Sequence, residues 1–262
     1  MSIARSVSAM MIKNTKGFTL IEILVTAAVS MILMGAIYMA INSAQRHSIG
    51  IERKVVAQQD VRPALDLMAM EIRMASFNPN FTAGNWLVPT GTGACTSVSG
   101  NQTYKGIQEA TPISITVEMD INQNCTVDND PICMRHYSGN SNPNEVIRYE
   151  YDPANQYITR ETSCGGSQPF LGDLPTSVNP RTILVVNDIN ESGVYEDVTD
   201  IPVFRYYDES GALIPTASLP AAIPNIRRVE ITLAVETEDA DPNTNQRRHL
   251  IYSTSVIPRN HP

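Results

Sequence analysis

From Phe18 to Ile41 the chain runs 24 residues with a single charge, Glu22. At ~1.5 Å per residue, a helix of that length can cross the ~30 Å hydrocarbon layer of a bilayer. Beyond Ile41 the pattern stays helical but becomes amphipathic. Val61, Leu65, Met68 and Ile72 stand four, three and four residues apart, which is one helix face. Pro63 interrupts that face and is expected to kink or loosen the helix, and Phe77-Asn78-Pro79 ends it. One helix is therefore expected from Phe18 to about Ser76. Asn78 to Thr111 is rich in Gly, Thr, Ser and Asn and reads as a long connection pinned by Trp86-Leu87-Val88.

After this connection the period changes to two. Ile113, Ile115, Val117 and Met119 alternate with polar residues, the pattern of a half-buried strand. Val146 to Tyr151 and Tyr157 to Arg160 flank Asp152-Pro-Ala-Asn-Gln and read as a hairpin. Thr182 to Val186 and Val203 to Tyr207 are short apolar runs. Val229, Ile231, Leu233 and Val235 alternate, and Leu250 to Ile257 can pair back as a closing hairpin. Strands without interleaved helices favour antiparallel pairing. The expected class is α+β: a long N-terminal helix, its first half transmembrane, packed on a β-rich, mainly antiparallel globular head. The expected divisions are residues 1–17 (leader), 18–41 (membrane half of the helix), 42–77 (second half) and 78–262 (head).

Glu22 changes this picture from composition to chemistry. A carboxylate within such a run is disfavoured by roughly 2.5–3.5 kcal/mol on insertion scales, which makes it a candidate functional residue. The bland alternative is that it snorkels to the headgroups. The surrounding residues bear on the choice. A short leader with Arg5, Lys13 and Lys16 precedes Lys16-Gly17-Phe18-Thr19-Leu20-Ile21-Glu22 and the long apolar run. This combination resembles the type III signal of type IV pilins and type II secretion pseudopilins. The resemblance implies cleavage between Gly17 and Phe18 by a prepilin peptidase, N-methylation of Phe18, and a role for Glu22 in assembly. There Glu22 would pair with the terminal amine of a neighbouring subunit. An amine and a carboxylate are each costly among apolar stems and far less costly together.

Arg62 to Pro79, RPALDLMAMEIRMASFNP, is similar to the helix end of PilW-type minor pilins. So is the tail, with Asp241-Pro242-Asn243-Thr244, Arg247-Arg248 and a last strand ending near Arg259-Asn260. The resemblance implies a minor pilin that helps start a pilus and sits at its tip. Its partners would be the prepilin peptidase, other minor pilins, the major pilin and an assembly platform in the inner membrane. The J-type pseudopilin of type II secretion has a comparable layout, and a tip adhesin on a pilin stem is the reading from a different class. The apolar run lacks the proline that many major pilin stems carry and offers only Gly35.

The chain carries 19 Lys and Arg against 27 Asp and Glu. Without the three leader cations the balance is 16 against 27, a net charge of −11. An acidic exterior argues against nucleic acid as the main ligand. The leader charges favour a cytoplasmic amino terminus; the resemblance implies a single pass of the inner membrane, a periplasmic head, and later a place in the pilus. Asn42-Ser43-Ala44 makes a poor secretory cleavage site after too long an apolar core, so an uncleaved anchor is the plainer alternative.

Cys95, Cys125, Cys133 and Cys164 all follow the helix, and an even number outside the cytoplasm suggests two disulfides. Three connectivities are open; pairing Cys125 with Cys133 would close a short loop. No G-x-S-x-G, H-E-x-x-H or phosphate-binding Gly loop occurs, and the four histidines are scattered, so no enzyme activity is expected and no cofactor is required. Asp188, Asn190 and Ser192 with Gly193 resemble the opening of a calcium loop, but Thr199 stands where the bidentate Glu belongs. Asp120-Ile-Asn122-Gln-Asn124 begins similarly, with Cys125 in place of the Gly. The plainer reading of both is turn chemistry.

Overall fold

The computed structural model describes residues 17–90, 94–99, 101–130, 133–134, 145–162, 166–172, 183–190, 192–196, 200–237, 240–241, 246–247 and 249–261. The chain divides into two compact units, Met1–Ser48 and Ile49–Pro262. One helix, α1 (Leu20–Arg73), supplies residues to both.

In the first unit the described part of the chain is almost wholly helical, and no residue is buried. Leu20, Ile21, Leu24, Met31, Ile32, Met34 and Tyr38 are all exposed large apolar side chains. This half of α1 is apolar on every side, as expected for a segment whose partner is not its own chain.

In the second unit α1 is amphipathic. Val61, Leu65, Met68 and Ile72, the predicted face, are buried and joined by Ala57 and Ala64 in the main core. The helix runs unbroken through Pro63. Burial of Val61, Ala64 and Leu65 on either side offsets the one missing backbone donor. The helix ends at Arg73 rather than Ser76. Met74 and Ala75 N–H groups turn to the carbonyls of Glu71 and Ile72, three residues back, and Ser76 takes a left-handed φ of 64°. Its N–H then donates to Glu118 O (2.9 Å), which ties the helix end to a strand. Gly106 lies against this junction. A Cβ there would meet Ser76 N at 2.1 Å and Glu118 O at 2.4 Å, so only glycine fits.

The core is covered by antiparallel strands. A five-stranded sheet has the order β3 (Ile107–Ala110), β4 (Ser114–Glu118), β5 (Val146–Asp152), β6 (Tyr157–Thr162), β7 (Ser167–Leu171). A second sheet is built on β10 (Arg228–Thr237). On one side β10 pairs with β11 (His249–Val256) from Val229↔Val256 to Glu236↔His249. On the other side its first half pairs with β9 (Phe204–Tyr207) and its last three residues with β8 (Ile183–Val185). A two-stranded ribbon, β1 (Leu87–Thr90) with β2 (Ala94–Ser99), lies in the segment expected to be a plain connection. A single turn of helix, α2 (Leu219–Ala222), sits between two short 3-10 turns. The α+β class with antiparallel sheets is thus as expected.

Two departures have physical causes. β4 is buried on both faces instead of one. Ser114 and Thr116 on its polar face are satisfied rather than solvated: their hydroxyls donate to Glu109 (2.7 and 2.9 Å), which also accepts from Arg148 Nε (2.8 Å). Burial alone would raise the Glu109 carboxyl; the Arg148 guanidinium and the two hydroxyls hold it below the ordinary range. The second departure is β7, SQPFL, which is mostly exposed and lacks a strand pattern. As the outermost strand of its sheet it tolerates Pro169.

Candidate functional site

The start of α1 carries a complete capping box. Thr19, just before the first helical residue, donates its N–H to Glu22 Oε2 (3.0 Å), and its hydroxyl donates to the same oxygen (3.1 Å). The Glu22 N–H donates back to Thr19 Oγ1 (3.3 Å). Two backbone donors that a helix start leaves open are thereby satisfied, and the acid lies in the first turn where the helix dipole favours it. Among the described residues Glu22 Oε1 has no hydrogen-bond partner, and the whole side chain is exposed. Beside the neighbouring amine that the resemblance implies, Glu22 thus has a local partner in Thr19. The signal was present, since Thr19-Leu20-Ile21-Glu22 is the T-x-x-E signature itself.

Immediately upstream, Gly17 and Phe18 are fully open. A Cβ at Gly17 would meet nothing within 4 Å. Phe18 is 84% exposed. The fold therefore gives no packing reason for glycine at 17 or for a large aromatic at 18. Residues 1–16 of the leader lie outside the described residues. Downstream, α1 is long and apolar enough to cross a membrane by length and composition.

Among the cysteines, Cys125 and Cys133 form a disulfide with Cα atoms 5.1 Å apart. Both are buried in a small cluster with Trp86, Leu87, Met134 and Val146. Cys164 and the side chain of Cys95 lie outside the described residues.

The calcium-like loop is built as a turn. Asp188 is buried, and its Oδ2 accepts from the Gly193 N–H (2.8 Å) and the Ser192 hydroxyl (3.4 Å). Asn190 Oδ1 accepts from the Ser192 N–H (2.9 Å) and stands at the surface. Asp188 Oδ1 is buried with no partner among the described residues. Thr199 lies outside the described residues. Among the described residues no group of three His, Cys, Asp or Glu converges as a metal cluster.

A buried polar network went unread in the sequence. Glu71 sits three residues after Met68, on the inward face of α1, and is buried. It accepts from the Tyr149 hydroxyl on β5 and pairs with the Arg160 guanidinium on β6. Tyr149 and Arg160 are cross-strand partners. Burial, and then the Glu71 charge, push the Tyr149 hydroxyl well above its ordinary range. The signal available beforehand was a lone carboxylate on an otherwise apolar helix face.

Comparison with curated proteins and with solved structures finds no match. Residues 12–38 match the family model of the prokaryotic N-terminal methylation motif. That segment contains Gly17, Phe18, the Thr19–Glu22 capping box and most of the exposed apolar run. The match, with the α+β architecture, supports a membrane-anchored type IV pilin-like or pseudopilin-like protein.

Proposed function

We propose that this chain is a PilW-type minor pilin of a type IV pilus, a structural protein that helps start pilus assembly. A prepilin peptidase cuts between Gly17 and Phe18, on the cytoplasmic side of the inner membrane, and the new Phe18 amine is methylated. The observation that carries the reading is the uncovered apolar half of α1, headed by a capped and accessible Glu22. An apolar helix with no cover from its own chain needs a bilayer or other apolar helices around it.

The chemistry of assembly follows from the helix start. Cleavage at Gly17 leaves the Phe18 ammonium one residue from the capped turn. In a staggered array, the Glu22 carboxylate of one subunit can receive the ammonium of the next through Oε1 while Oε2 keeps its Thr19 bonds. Each charge then loses its unpaired cost, and the array gains a register.

Two other readings have their own support. The stem geometry serves a J-type pseudopilin equally well. A tip adhesin gains from an open groove of about 490 Å³ lined by Phe77, Phe81, Trp86, Gln102 and Lys105. Phe81 there is 92% exposed and has a left-handed φ of 54°. Gene deletion with quantified piliation separates the three. A primer predicts few or no pili after deletion, and the protein recovered with sheared pili. Abundant pili with lost surface attachment would favour the adhesin. Recovery only with an inner-membrane secretion complex would favour the pseudopilin.

A further inference from the structure

Just past the β4–β5 pair, two carboxylates, Asp120 and Glu145, are buried against one turn, with no ion-pair partner among the described residues. β4 ends at Glu118 and β5 begins at Val146, and the Met119 N–H donates to Glu145 O (2.9 Å). The chain then folds over as Asp120-Ile121-Asn122-Gln123-Asn124. Ile121 and Asn122 N–H groups donate to Glu145 Oε1 (3.0 and 3.1 Å). The Asn124 N–H is shared by Asp120 Oδ1 (3.1 Å) and Asn122 Oδ1 (3.0 Å). One turn thus gathers both acids and an amide oxygen, with oxygen-bearing side chains at alternate positions. The Cys125–Cys133 disulfide fixes the next residue.

The second oxygens are the informative ones. Asp120 is 1% exposed and Glu145 0%, yet among the described residues Asp120 Oδ2 and Glu145 Oε2 have no hydrogen-bond partner. Among the described residues neither acid has an ion-pair partner. Two buried acids bonded to the same turn, each with an orphaned oxygen, are costly as they stand, and a cation bound by both removes that cost.

We propose that Asp120 Oδ2 and Glu145 Oε2 hold a calcium ion, with amide oxygens of the 120–124 turn and water completing its shell. The donors are all hard oxygens, which excludes a preference for zinc, since the nearby cysteines are disulfide-bonded. Calcium accepts irregular shells of six to eight oxygens, whereas magnesium demands a near-ideal octahedron and gives up water reluctantly. With only two carboxylates, affinity belongs to the extracellular range, roughly 10⁻⁴–10⁻³ M. The ion would stiffen the disulfide loop and the end of β4, where Glu118 receives the Leu87 N–H (2.9 Å) that starts β1.

The test uses the full chain, purified in detergent and stripped with EDTA, titrated with calcium chloride and separately with magnesium chloride. Calorimetry should give calcium binding in the 10⁻⁴–10⁻³ M range, and ~10 mM calcium should raise the melting midpoint by about 3–8 °C. In D120N/E145Q both effects should vanish, with the midpoint in EDTA at or above that of the unmodified chain. D188N should keep them. If the double variant does not fold, D120N alone should bind calcium at least tenfold more weakly. A midpoint insensitive to calcium up to 10 mM would overturn the proposal. So would a calcium effect that survives D120N/E145Q, or one that D188N abolishes.

Discussion

The two halves of α1 have similar helix-forming residues and opposite relations to the rest of the chain. Between Leu20 and Ser48 large apolar side chains are exposed on every side; between Ala57 and Ile72 one stripe is buried in a β-sheet core. Hydrophobicity alone does not identify a core. What distinguishes the halves is period: a stripe marks a segment that folds against its own chain, and an all-round apolar surface marks one that waits for other molecules. The polar residues divide the same way. Glu22 is capped and accessible, whereas Glu71 is buried and consumed by Tyr149 and Arg160. The first acid is left for the assembly role proposed above, and the second serves the fold.

Substitution at each acid breaks the comparison in opposite directions. Glu22→Leu should reduce filament incorporation at least tenfold, measured by immunoblot of sheared pili, while the head melts as before. Glu71→Ala should do the reverse. It leaves the Arg160 charge and the Tyr149 hydroxyl without their buried acceptor, at a cost of about 2–4 kcal/mol by denaturant unfolding, with processing of the amino terminus unchanged. Equal effects of the two variants on head stability would erase the distinction.

A smaller effect is expected at the disulfide. Cys125→Ser with Cys133→Ser should lower head stability by about 2–3 kcal/mol, given the short loop that the bond closes. Unmodified protein alkylated without reduction should show no label on Cys125.

The smallest effect sharpens the comparison through pH. His261 is buried, its Nε2 donating to Ile223 O (2.9 Å) and its Nδ1 accepting from the Ser76 hydroxyl (3.1 Å). Burial, aided by Arg227 and Lys105, holds its pKa below the ordinary 6.5. The unfolded chain therefore binds this proton more readily. The stability it contributes is present above pH ~6.5 and is lost as pH falls through the lowered value. The melting midpoint of the unmodified chain should drop more between pH 7.5 and 5.5 than that of His261→Gln. An identical pH dependence in the two would refute this.

Period-based features were legible in the sequence. The buried face of α1, the β5–β6 hairpin and the β10–β11 closing hairpin each follow from spacing of Val, Ile and Leu, and the short loop between Cys125 and Cys133 favoured their pairing. The segment from Asn78 to Thr111 was not legible, because β1 to β3 are short and carry few apolar residues. Long-range polar contacts were invisible for another reason. Glu71 meets partners 78 and 89 residues away, and Asp120 shares its turn with Glu145, so neither leaves a local pattern. At the stem, the roles expected of Gly17, Phe18 and Glu22 follow from resemblance, while the capping box that positions Glu22 is legible in the local Thr19-x-x-Glu22 spacing.

Whether the exposed half of α1 is a processed pilin stem is tested most directly by mass spectrometry of the amino-terminal peptide, taken from protein isolated from its native membranes. The expected result is a chain beginning at Phe18 with one N-methyl group, and the full-length form alone when Gly17→Val is introduced. A mature protein that retains residues 1–17, or one that begins within residues 42–45, would contradict it.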